Sequence, residues 1–336
     1  MLTRLENRWK RLFISLLYGL RRCMTERRAL GFFLDIEGAF NNTCYDAMCD
    51  ALVRHGSEYT IVRWIRATLE GRVAVATHNG SSLRLAISRG CPQGGVLSPL
   101  LWCLVVNDLI ASLSGSGIFI RGYTDDICLL VVGKFPNMVS GLMQWALWCS
   151  EVGLSVNPDK TGLVAFTGKR KLQGSFEPRF FGVKLSLSGS VKYLGIILVS
   201  QLTWREHVEV KVRKAHNLVW ACRRAFGAGW GLRPKVVHWL YVAIIRPTLT
   251  FASLVWWPGC QTASAKKKLS KVQRLACLGI TVAIRMTPTG VMEVLIGLLL
   301  LELVVQGEAR SAAHRLWSLG WWSYLHPQRG HSCILT

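Results

Sequence analysis

Two adjacent carboxylates, Asp125 and Asp126, break an otherwise apolar and β-branched stretch that runs from Ile118 to Val132. Few arrangements suit that pattern. Two extended runs separated by a two-residue break read as a β-hairpin with the acids at its tip. Like charges side by side raise each other's pKa and persist where water or a cation screens them, so a divalent metal is their natural partner. A plain solvated hairpin tip is the alternative, because Asp is also a common turn former. The pair stands out further because the chain has only 19 Asp and Glu against 41 Lys and Arg.

A third acid, Asp35, ends another apolar run in Gly31-Phe32-Phe33-Leu34-Asp35-Ile36-Glu37-Gly38-Ala39-Phe40. Two strand ends then offer carboxylates, and magnesium takes hard oxygen ligands from a few carboxylates plus substrate phosphates. Between them lies Arg89-Gly90-Cys91-Pro92-Gln93-Gly94-Gly95-Val96-Leu97-Ser98-Pro99-Leu100. This is a glycine-rich turn entering a helix, with Ser98 as N-cap and Pro99 at the first helical position. Backbone of that kind can approach a ligand closely, and it is also ordinary loop punctuation.

In that chain order, the Asp35 segment, Pro92-Gln93-Gly94 and Tyr123-Thr124-Asp125-Asp126 resemble the palm motifs of reverse transcriptases. Gly153-Leu154-Ser155-Val156-Asn157-Pro158-Asp159-Lys160-Thr161 resembles the next palm motif, and Val191-Lys192-Tyr193-Leu194-Gly195-Ile196 resembles the primer-grip segment. The wording around Asp35 is most similar to non-LTR retrotransposon polyproteins of the Jockey-like insect type, with group II intron maturases as the second resemblance. The fold this implies is an α/β palm, an antiparallel sheet with packed helices of the polymerase right-hand type, followed by a mostly α-helical thumb and connection. The expected segments are 1–34 as entry to the palm, 35–200 as palm with primer grip, 201–285 as a basic thumb, and 286–336 as a helical connection and tail.

The resemblance implies template-directed nucleotidyl transfer with two Mg2+ ions, Mn2+ being a possible substitute, on an RNA template and DNA primer with deoxynucleoside triphosphates. Asp35, Asp125, Asp126 and the backbone carbonyl of Ile36 are the implied metal ligands. Phe40 falls where the family keeps an aromatic gate against a ribose 2′-hydroxyl. Gln93, Gly94 and Tyr123 are the implied nucleotide and template contacts, Lys160 assists pyrophosphate departure, and Tyr193, Leu194 and Gly195 form the primer-grip region. Read by themselves, Phe40 is a core residue, Gln93 a loop amide and Lys160 a solvated lysine.

One departure from the family is the short stretch before Asp35, only 34 residues, which leaves most of a fingers region without a counterpart. The other is Thr124, where alanine is more usual. The expectation is a fragment or degenerate copy of a polyprotein, without endonuclease or ribonuclease H. A catalytically defective nucleic-acid-binding remnant is the alternative function.

Composition agrees with a two-part globule, since 51% of the 336 residues are hydrophobic. Charge is uneven: residues 1–166 hold 17 Lys and Arg against 13 Asp and Glu, and residues 167–336 hold 24 against 6. A polycationic second half favours phosphate backbones through counterion release. The eleven cysteines show no paired framework and no signal peptide precedes them, so reduced thiols and a cytoplasmic and nuclear location are expected. The apolar run from Val291 to Gln306 is shorter than a bilayer span and carries Glu293 and Glu302, so it reads as a buried helix and not as a membrane segment.

Periodicity predicts helices at 42–55, 58–70, 98–113, 136–153, 204–226, 234–245 and 263–278. Strands are predicted at 72–77, 83–87, 162–167, 180–185 and 191–198, besides the acid-tipped hairpin. In the helix from Trp204, Val208, Val212, Ala215, Val219 and Cys222 share one face, with Lys211, Lys214, Arg223 and Arg224 around it. Lys266, Lys267, Lys268, Lys271 and Arg274 extend the basic track.

Overall fold

The computed structural model describes residues 12–17, 19–20, 29–92, 94–113, 118–132, 145–157, 160–167, 179–180, 183–224 and 233–320. The chain forms two compact units, Gly19–Leu194 and a second made of Met1–Tyr18 with Gly195–Thr336.

The first unit is built on a mixed sheet. Its central strands are β1 (Ala29–Glu37) and β5 (Asp126–Val132), paired antiparallel. From Leu30 to Leu34 and from Ile127 to Val131 both strands are buried at successive residues, and hence on both faces. That explains why both read as unbroken apolar runs and not as alternation. Helices cover one face, namely α1 (Ala39–Asn42), α2 (Tyr45–Arg54), α3 (Tyr59–Glu70), α4 (Ser98–Leu113) and a helix over residues 145–152. Met48, Leu52, Ile65, Trp102, Leu109 and Trp145 fill the layer between them and the sheet. The predicted start of that last helix, at Pro136, lies outside the described residues.

Between α3 and α4 projects the hairpin β2 (Val73–His78) and β3 (Ser81–Ala86), exposed throughout. Its turn residues Asn79 and Gly80 both have positive φ, 47° and 78°, as a primed two-residue hairpin turn requires. β4 (Ile118–Tyr123) pairs with β5 and forms one edge of the sheet. On the other side of β1, β6 (Ser155–Val156) and β7 (Gly162–Phe166) pair antiparallel, and β10 (Leu187–Ser188) joins β7 in parallel. That parallel strand makes the sheet mixed where a purely antiparallel one was expected.

Two strand expectations need correction. The predicted strand at 180–185 is replaced by the short pair β8 (Arg179–Phe180) and β9 (Val183–Lys184), which forms a separate sheet. The predicted strand at 191–198 is broken into β11 (Ser190–Tyr193) and β12 (Ile196–Val199). Leu194 and Gly195, at φ 46° and 78°, turn the chain there, a conformation an extended strand excludes.

The second unit is helical among its described residues apart from β12. Helix α5 (Arg205–Arg224) buries Val208, Ala215 and Val219, as its periodicity predicted. α6 (Pro234–Leu240) passes into a π-helix, Tyr241–Ile245, so the helix predicted at 234–245 becomes two segments, and α7 (Arg246–Thr250) continues beyond it. Pro247 cannot donate to the carbonyl of Ala243 and would crowd it, and the wider π turn just before it takes up the mismatch. α8 (Ser253–Trp256), a 3-10 turn (Trp257–Gln261) and α9 (Ala263–Thr281) follow, then α10 (Thr289–Leu295) and α11 (Leu301–Ser318).

The run from Val291 to Gln306 is therefore not one buried helix. Gly297, at φ 66°, stops α10: its N–H donates to the Val294 carbonyl and that of Leu298 to the Glu293 carbonyl, the double bond of a Schellman motif. Val291, Val294, Leu295, Leu299, Leu300 and Leu303 are exposed. No single helix among the described residues is long and apolar enough to cross a membrane, although the bent pair Pro234–Thr250 and Ser253–Gln261 meets the test of length and composition.

Candidate active site

The register of β1 against β5 sets Asp35 directly opposite Asp126. Residues directly opposite in an antiparallel pair have their Cβ atoms about 5 Å apart, and like charges so placed are destabilising. Asp126 is at the same time opposite Tyr123 in the β4–β5 hairpin, and Thr124 with Asp125 makes the turn between them. The two strand ends predicted to bring carboxylates together are thus adjacent in the sheet. Gln93 and the Asp35 side chain lie outside the described residues, and among the described ones no group of three His, Cys, Asp or Glu is arranged as a metal site.

The acid turn is held from several sides. Thr124 has φ 54°, a left-handed conformation that a residue with a β-carbon adopts at a cost. Its carbonyl accepts a hydrogen bond from the indole Nε1–H of Trp102 at 2.6 Å. Its hydroxyl lies 2.7 Å from the Tyr123 carbonyl and 2.8 Å from Oδ1 of Asp125, and its one proton serves either. On the following strand, the Asp126 carbonyl accepts from the Tyr193 hydroxyl at 3.3 Å. Tyr193 is buried with its ring 5.2 Å from that of Phe33, and burial, followed by the nearby Cys128 and Asp126, pushes its phenol well above the usual range. It stays a neutral hydroxyl donor.

Phe40 sits in the short helical turn α1 that follows Gly38, a left-handed residue at φ 55°. Its ring is half-buried and lies 6.1 Å from that of Trp102, at 46°. The glycine-rich loop is stitched to this same turn. The Cys91 N–H donates to the Phe40 carbonyl at 2.6 Å and the Gly90 N–H to the Thr43 carbonyl at 2.8 Å. Arg72 clamps the loop's other side, giving Nη2 hydrogen bonds to the carbonyls of Arg89 and Gly90 and to the Tyr45 hydroxyl. Ser98 Oγ donates to the Pro92 carbonyl at 2.6 Å, closing the turn into α4. Gly94, at φ 85°, is exposed with open space where a side chain would be.

Lys160 is exposed, two residues before β7, on the flank of β1 away from β5. Thr161 closes its turn, donating from both N–H and Oγ1 to the Asn157 carbonyl. Tyr193 lies buried under β5, while Leu194 and Gly195 form the turn that follows it. Sequence reading did not mark Trp102 or Arg72. Neither belongs to a recognisable motif, and only the folded contacts show what they hold.

A family model described as reverse transcriptase (RNA-dependent DNA polymerase) matches residues 4–198. The chain is 28% identical over 273 residues to a putative 115 kDa protein in the type-1 retrotransposable element R1DM of Drosophila melanogaster, which covers 80% of this chain and 26% of that protein. A retrovirus-related Pol polyprotein from a type-1 retrotransposable element R1 of Bradysia coprophila is 26% identical, over 82% of this chain and 28% of that one. The RNA-directed DNA polymerase from the mobile element jockey of Drosophila funebris is 27% identical, over 72% and 27%. The chain thus spans about a quarter of the length of these three relatives. Among solved structures, telomerase from Candida tropicalis in complex with a TWJ fragment of telomeric RNA aligns over 96% of this chain and 51% of that one, at 10% identity and a TM-score of 0.44.

Proposed function

This chain belongs to the reverse transcriptase (RNA-dependent DNA polymerase) family, and from that premise we propose that it is the palm and thumb of a non-LTR retrotransposon polymerase, extending a primer 3′-hydroxyl on an RNA template. The observation that carries the reading is the register of Asp35 opposite Asp126, with Asp125 in the adjoining turn. Reverse transcriptases use divalent metal ions, and the donor set here fits one. It consists of hard carboxylate oxygens, gathered where like charges would otherwise repel across the strand pair. Asp35, Asp125, Asp126 and the Ile36 carbonyl would hold Mg2+, or Mn2+ in its place. When bound, such ions neutralise charge on the attacking 3′-oxygen and the departing pyrophosphate.

The other residues position the substrates. Phe40, fixed through its carbonyl to Cys91, blocks a ribose 2′-hydroxyl and so favours deoxynucleotides. Gln93 and Gly94 meet the incoming nucleotide and template, and the open space at Gly94 leaves room for that approach. Tyr123, which ends β4 opposite Asp126 and precedes the acid turn, is a further nucleotide or template contact. Lys160 offers a cation or proton to the pyrophosphate. The turn Tyr193-Leu194-Gly195 supports the primer end, and the second unit binds the template-primer backbone electrostatically. The work belongs in the cytoplasm and nucleus, where template RNA and target DNA are found.

The test is primer extension on poly(A) RNA with deoxythymidine triphosphate and Mg2+, comparing the native chain with an Asp125→Ala, Asp126→Ala double variant. Extension by the native chain that falls by at least a thousandfold in the variant supports the reading. Native chain that binds template-primer but extends nothing speaks for a catalytically defective copy.

A further inference from the structure

We propose that Trp102 is a positioning residue that couples the two halves of the site: its indole N–H holds the backbone of the acid turn while its ring braces the residue that screens the sugar. The inference rests on the polymerase reading of Asp125 and Phe40 and adds a residue to it. Trp102 lies one turn into α4 and is 2% exposed, so its ring cannot swing away without opening the core. Its N–H has one aim, the Thr124 carbonyl at 2.6 Å.

That carbonyl belongs to a residue held at positive φ without being glycine, and such conformations last where surrounding contacts impose them. Thr124 in turn reaches Asp125 through its hydroxyl at 2.8 Å. The route from indole to carboxylate is therefore two contacts long. On its other side the same indole faces the Phe40 ring at 6.1 Å. A shift of the Trp102 ring accordingly moves both the acid that would hold the metal and the aromatic that would screen the sugar.

Two substitutions separate these contacts. Trp102→Phe keeps an aromatic ring facing Phe40 and removes the donor. Trp102→His keeps a ring N–H at nearly the same distance from Cβ and removes most of the surface facing Phe40. Two readouts are taken on the full chain with an RNA–DNA template-primer: Mn2+ affinity, from the paramagnetic resonance of the free ion, and the ratio of deoxynucleotide to ribonucleotide incorporation.

The expected pattern is crossed. Trp102→Phe weakens Mn2+ binding about tenfold, the worth of one lost hydrogen bond near a charged site, and leaves most of the sugar discrimination. Trp102→His retains Mn2+ affinity and loses discrimination several-fold. Both variants moving both readouts equally, or neither moving either, overturns the coupling. If a Trp102 variant does not fold, Thr124→Gly reads the same link from an exposed position. It is expected to weaken Mn2+ binding and spare discrimination, and unchanged Mn2+ binding there overturns the proposal. Native chain whose Mn2+ binding is indifferent to Asp125→Ala shows instead that the metal reading itself fails.

Discussion

Gly90 has no room for a side chain: a β-carbon there would come within 2.3 Å of the Asn41 carbonyl oxygen, and its φ of 76° already excludes most residues. The glycine-rich loop was legible as a place of close backbone approach, but two of its glycines divide the labour. Gly90 makes its approach to the protein's own Phe40–Thr43 turn, and Gly94 faces open space. Spacing alone could not tell which was which, because Gly90 is fixed by contacts with a turn more than forty residues earlier, whereas Gly94 has no neighbour within reach of a β-carbon. Gly90→Ala is expected to cost about 1–3 kcal/mol, measured by urea unfolding, because it adds left-handed strain to a backbone clash. Asp35, Asp125 and Asp126 were legible because acids are scarce and end apolar runs. Trp102 was not, since an aromatic at helical spacing looks like any core residue until its N–H is found to have a partner.

Strands and helices with one dominant signal were read closely, and those decided by a single residue were not. β1 and β5 declared themselves through unbroken apolar runs, and α4 spans the expected Ser98 to Leu113, although Ser98 is its first helical residue and not its N-cap: the Leu101 N–H donates to the Leu97 carbonyl, and the Ser98 hydroxyl turns back to Pro92. Gly297 and Leu194 undid two further expectations, because hydrophobic counting ignores a residue whose φ is positive. In the second unit, α5 is tied to β12 by His207, which is buried, accepts the Ile197 N–H on Nδ1 at 3.1 Å and packs 5.4 Å from the Trp256 ring. Burial, with the Lys211 charge second, lowers its pKa to about 3. The unfolded chain therefore binds a proton near pH 6.5 that the folded chain refuses until about pH 3. Stability from this residue is complete above pH 6.5 and falls as pH drops through that window, by up to about 1.4 kcal/mol per pH unit. His207→Asn keeps an acceptor for Ile197 and cannot titrate, so the fall in melting temperature between pH 6.5 and 5 is expected to flatten in that variant.

The whole molecule carries a net charge of +22, and its second half supplies most of it. Some of those cations are spent inside the fold. Lys268 pairs with Glu209, Lys266 with Glu302, and Arg274 binds the Thr287 carbonyl and the Thr289 hydroxyl. Lys267 and Lys271, on the same helix, are exposed and have no acidic partner among the described residues. Affinity for an RNA–DNA duplex is expected to fall linearly with salt on logarithmic axes, by about a thousandfold between 50 and 200 mM if some six phosphates are neutralised. Replacing Lys267 and Lys271 with Ala should lower that slope by up to about two, whereas Lys268→Ala should act mainly on stability. Fluorescence anisotropy across a salt series distinguishes the two effects. The second unit is also discontinuous in the chain, since Met1–Tyr18 belongs with Gly195–Thr336, and residues 13, 14, 16 and 17 of that first stretch are buried. A recombination event that exchanged only the coding region downstream of Leu194 between related elements would therefore separate the helical unit from the stretch before Gly19 that packs with it, so these two segments must be inherited together.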